Sequence, residues 1–203
     1  MKAENRTLNL LKLIGCFCVV FIHASSRGEF FYYIYKVIAW AAPVFLMISG
    51  YYIYKKDKKE VLKKIPLKIK KMLKYFVICI CIFTYLKIYN HVAINGNSFT
   101  SLVSTFFSLE NIIKMVVFNC FDVIYGTHLW YLISIIWCYI LLKFMLKHEK
   151  TENVIKLLIP IFLILRILLR KFITNDEYWF LYQNFLLSSF PYFFLGYFIS
   201  KKK

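Results

Sequence analysis

A lysine and a histidine eleven residues apart, Lys12 and His23, are the first pair in the chain suited to chemistry. On a helix, eleven steps make three turns plus about 20°, so both fall on one face, roughly 16 Å apart along the axis. A fixed cation with a titratable imidazole deeper in suits an anionic cosubstrate and a proton transfer. Read as structure alone, His23 is an interfacial histidine bonded to a neighbouring helix. Asn9, Cys16, Val19 and Val20 lie on or near the same face.

Other polar groups interrupt apolar runs, where burial is costly. Ser49-Gly50-Tyr51 combines a glycine that permits close helix approach with a serine that can bond across helices. His128-Leu129-Trp130-Tyr131 reads either as an aromatic belt at a membrane surface or as one edge of an acceptor site. Arg166 stands well inside IPIFLILRILLRKF and must face a bundle interior or snorkel outward, while Arg170 is placed to snorkel. His91 and His148 read as loop or interface residues. The six cysteines lie in apolar or semi-polar stretches without histidines at zinc spacing, so no metal site is expected. The chain lacks the phosphate-loop, dinucleotide, zinc-protease and nucleophile-elbow motifs.

The elements that carry these residues follow from composition. Of 203 residues, 61% are apolar and 20% aromatic, against roughly 45–50% apolar in soluble domains. The solvent for such a chain is lipid. The pattern predicts an all-α polytopic transmembrane bundle of about six spans. They run from Leu8 to Ala24, Tyr35 to Tyr54, Tyr75 to Ile94, His128 to Leu146, Val154 to Phe172 and Leu181 to Ile199. Residues 95–127 read as an interfacial or re-entrant segment rather than a span, since Glu110, Lys114 and Asp122 interrupt them. The net charge of +17 is concentrated in a loop at 55–74 with ten lysines against Asp57 and Glu60. That loop, the 147–152 turn and the Lys201–Lys203 tail fall on one side, which the positive-inside rule makes cytoplasmic, together with both termini. Nucleic acid is not an expected partner, because the charge sits in membrane loops. The polybasic loop sets topology, touches anionic lipid, or receives a phosphorylated cosubstrate. No repeat, linker or second domain is legible, and the first apolar run lacks a signal-peptide cleavage site.

The order of motifs resembles a known family. NRTLNLLKLIGCFCVVFIHAS, APVFLMISGYYIY, KKIPLKIKKMLKYF, GTHLWYLISIIWCYIL and FPYFFLGYFI follow one another as in the acyltransferase 3 family of integral membrane acyltransferases. The resemblance implies transfer of an acyl group, acetyl first, from acyl-CoA to a hydroxyl of a cell-envelope polysaccharide or related glycan, in a bacterial plasma membrane. It implies His23 as general base and Lys12 in the place of the family arginine, with Ser49 and Tyr51 beside the donor and His128, Trp130 and Arg166 toward the acceptor. Here Lys12 replaces Arg, Asn9 replaces the usual Asp, and Lys64, Lys68 and Lys71 replace arginines after the second span. Family members continue past FPYFFLGYFI, so the resemblance further implies a short or C-terminally truncated member, one that works with a partner subunit or as a homo-oligomer. The rival expectations are a non-catalytic accessory protein or remnant and, supported only by intramembrane charge, a small transporter.

Overall fold

The computed structural model describes residues 5–24, 29–96, 98–121, 126–148, 150–173 and 176–202. Among them, every regular element is a helix. They gather into two compact units, Met1–Asp57 with Tyr192–Lys203, and Lys58–Pro191.

In the first unit, α1 (Arg6–Ala24) begins at a side-chain cap. The Asn5 Oδ1 accepts the Thr7 and Leu8 amides at 3.1 and 3.3 Å, satisfying two donors that a helix start otherwise leaves open. A turn at Ala39 and Trp40 joins α2 (Glu29–Ile38) to α3 (Ala41–Ile53). Pro43 is tolerated because it stands in the first turn of α3, where its amide would have no partner in the helix. α1 meets α3 at Gly15, which is buried, and a Cβ there would come within 3.0 Å of the Phe45 ring. The last helix of the chain returns to this unit.

The second unit is organised by α4 (Lys58–Ile88), which packs against α7 (Trp130–Lys147). A π turn at Tyr89–Ile94 extends α4. Two short helices follow, α5 (Phe99–Phe106) and α6 (Leu109–Phe118), capped by Ser98 and Ser108. Then come a 3-10 turn at Thr127–Leu129, α7, α8 (Thr151–Phe172), a second 3-10 turn at Asp176–Leu181 and α9 (Phe185–Ser188). α10 (Phe190–Lys202) starts here and runs back into the first unit from Tyr192. Phe121 and Leu129 centre an apolar cluster with Phe76, Cys79, Ile80, Phe83, Phe106, Met115, Leu132 and Ile133.

Four helical stretches are long and apolar enough to cross a membrane: Arg6–Ala24, Tyr33–Ile53, Lys58–Ile94 and Trp130–Lys147. They coincide with the first four runs read from sequence, with one correction. The polybasic segment is helical from Lys58 onward. Val61 and Ile65 recur at i and i+4 and are fully buried there, and Glu60 pairs with Lys64 one turn on. The apolar period outweighs the charge, and lysine is a good helix former.

The fifth run falls within one helix, and the sixth differs from the sequence pattern. α8 has the length of a span but carries Lys156, Arg166, Arg170 and Lys171. The last run is broken. Asn184 caps the short α9, and Ser189 leaves helical geometry at φ −121° and ψ −48°. Pro191 then opens α10, where it has no amide to offer a continuing helix. α5 and α6, with 8 and 10 residues, are each too short to span.

Candidate active site

In the first unit, α1 and α3 bring Lys12 to an aromatic ring. The Lys12 Nζ lies 4.5 Å from the centroid of Tyr52. An ammonium over a ring face is attracted by about 0.5–1 kcal/mol when exposed and about 2 or more when desolvated. The Tyr52 ring in turn meets the edge of Tyr51, centroids 5.5 Å apart. Gly15 lies one turn beyond Lys12 and faces Phe45, so the two helices run antiparallel along this seam. His23 occupies the last turn of α1, exposed, about three turns from Lys12. One continuous helix therefore carries both proposed catalytic residues.

Ser49 is half-buried on α3, beside Gly50. Gly50 is where α3 crosses α10. A Cβ on Gly50 would overlap the Phe193 carbonyl, and a Cβ on Gly196 would overlap the Met47 carbonyl. The two glycines face each other's backbones reciprocally. The segments around them share the pattern Gly-Tyr-x-Ile-x-Lys-Lys, at Gly50–Lys56 and Gly196–Lys202. Tyr54 and Tyr197 close the contact edge to face at 5.3 Å.

In the second unit, His128 is half-buried with its ring 4.4 Å from that of Phe83 on α4. Trp130 opens α7 and stands edge-on to Tyr131 at 6.2 Å. Behind them lies a buried polar pair. Asn119 ends α6 in the left-handed conformation (φ 55°), and its Nδ2 donates to the Ser134 Oγ at 3.0 Å. Its Oδ1 is buried without a hydrogen-bond partner. Arg166 is half-buried on α8, and Arg170, one turn on, is exposed.

Lys12, His23, Ser49 and Tyr51 thus belong to the first unit, and His128, Trp130 and Arg166 to the second. Tyr51, read from sequence as a donor-side residue, stands next to Tyr52, the residue at the lysine. Tyr52 lies seven residues after Phe45, two helical turns along the same face, a relation that shows only once Phe45 is seen against Gly15. Gly196 and Asn119 were also missed. The repeated Gly-Tyr-x-Ile-x-Lys-Lys pattern points to the first, and no local signal marks the second.

The acyltransferase domain family model, acyltransferase 3, matches residues 5–203. The chain belongs to the acyltransferase 3 family. No curated protein and no solved structure matches it. As a member of that family the protein is membrane-embedded and of acyltransferase type, and the α1 pair described above lies within the matched region.

Proposed function

We propose that this protein transfers an acyl group, acetyl in the first instance, from acyl-CoA to a hydroxyl of a cell-envelope glycan at a bacterial plasma membrane. The observation that carries the proposal is α1, which presents Lys12 on Tyr52 and, three turns away on the same face, His23.

The separation divides the labour. At roughly 16 Å from the imidazole, Lys12 is too far to touch the reacting carbonyl. It holds the charged, phosphorylated end of the donor, whose long thioester arm reaches toward His23. The imidazole accepts the proton of the acceptor hydroxyl as its oxygen attacks the thioester carbonyl. The tetrahedral intermediate collapses with cleavage of the C–S bond. The leaving thiolate takes the proton back from the imidazolium, giving ester and free thiol with no net proton change. Lys64, Lys68 and Lys71 add charge for the donor phosphates. Within the first unit Ser49 and Tyr51 are assigned to the donor, and within the second unit His128, Trp130 and Arg166 to the acceptor.

The test is label transfer. Membranes carrying the protein, given radiolabelled acetyl-CoA and envelope glycans, should yield labelled glycan, and His23→Ala should abolish it. A folded protein that transfers no label would sink the enzymatic proposal. Transfer that survives His23→Ala would show that another group is the base.

A further inference from the structure

α6 is too short to cross a bilayer and yet displays an aliphatic face. Leu109 is 74% exposed, Ile112 40%, Ile113 43% and Val117 60%. At 100° per residue these four fall within an arc of about 140°. The other side of the helix packs inward. Met115 joins the apolar cluster around Phe121 and Leu129, and Phe118 meets Phe180 with centroids 5.1 Å apart. Phe107, in the corner between α5 and α6, is 74% exposed. The outward face of α6 is therefore apolar by design of the sequence and not by loss of an inner contact.

We propose that α6 beds its Leu109, Ile112, Ile113 and Val117 face into one leaflet, as an interfacial helix whose opposite side packs, through Met115, on the Phe121 and Leu129 cluster against the Phe76–Phe83 stretch of α4.

Three further observations select lipid as the occupant. The surface is continuous in character with the neighbouring stretch of α4, where Val77, Ile78, Ile82 and Tyr85 are also exposed. Both ends of α6 are closed as an interfacial site requires. The Ser108 Oγ accepts the Asn111 amide at 3.3 Å, and left-handed Asn119 returns the Cys120 amide to the Lys114 carbonyl at 2.9 Å. Charges border the aliphatic arc and do not interrupt it. Glu110 and Lys114 form an i,i+4 ion pair at its edge, and the lysine's hydrogen bond and charge hold the Glu110 carboxyl below its ordinary range. An ionised pair on that border belongs at the headgroups, with the aliphatic face below them.

The test places a tryptophan on the face. Ile113→Trp, reconstituted in bilayers of phosphatidylcholine brominated along the acyl chains, is compared with the parent protein so that the four native tryptophans are subtracted. The added fluorescence should fall by about half on bromination, as for a ring 5–10 Å deep. Unchanged fluorescence that aqueous iodide quenches would place the face in water and overturn the proposal. Fluorescence that neither reagent changes would place it against protein, a second copy or another subunit, and would overturn it equally. Leu109→Trp, on the same face in the first turn, is read in the same way if Ile113→Trp fails to fold. Neither readout depends on acyl transfer.

Discussion

At the scale of single residues, the proposed function turns on an ammonium over a phenol ring. Lys12 keeps the charge of the family arginine but not its planar fork, which grips phosphate in two places. Tyr52 compensates by fixing where the charge sits. Tyr52→Leu removes about 1 kcal/mol of that attraction and should raise the donor KM about fivefold with kcat little changed. Tyr52→Phe keeps the ring and should preserve the parent KM. Lys12→Arg should lower the donor KM. The Asn119–Ser134 pair makes a different kind of prediction. Ser134→Ala leaves the buried amide with neither polar atom bonded, which costs about 1–3 kcal/mol and should appear as a lowered Tm in detergent. Asn119→Gly should cost less than Ser134→Ala. It removes the orphaned amide, suits the left-handed backbone, and leaves the serine free to donate back to its own helix.

At the scale of elements, the close approach of α3 and α10 depends on two glycines, each lying against the partner's main chain. A backbone carbonyl cannot rotate aside as a side chain can. Gly50→Ala and Gly196→Ala should each lower stability by about 1–3 kcal/mol or more. The double variant should lose less than the sum, since the first methyl already separates the helices. Thermal unfolding of the three variants checks both statements. The element scale also shows what the sequence discloses and what it conceals. The first, second and fourth runs were legible because apolarity and length alone define a span. The helical start of α4 was concealed because dense lysine reads as a loop, although Val61 and Ile65 carry the helical period beneath it. The break at Ser189 was concealed for the opposite reason. Hydropathy is blind to backbone direction, and Pro191 marks a helix start as readily as an interruption. At the site, a motif order and one i,i+11 spacing singled out Lys12 and His23, and the structure carries both on one helix. Partner choice across the α1–α3 seam needs the rotation of both helices, which is why Tyr52 was not singled out.

At the scale of the whole molecule, the unbroken run from Lys58 to Ile94 has a physical consequence outside the membrane. Its 37 residues make a rod of about 55 Å when counted as α-helix, against a hydrocarbon core of about 30 Å. The surplus is the lysine-bearing half. At physiological ionic strength a charge is felt over about 8 Å. Lysines near the bilayer, such as Lys74, therefore sense the headgroups, while Lys58 and Lys59, more than 20 Å further along the rod, sense only what approaches from solution. The two ends of one charge array should respond differently to salt. Removing Lys58 and Lys59 should flatten the ionic-strength dependence of donor KM, and removing Lys70 and Lys74 should instead weaken the protein's preference for anionic lipid. The helix thereby holds part of its counterion atmosphere away from the bilayer's own, so that a soluble polyanion meets a field the headgroups have not already neutralised.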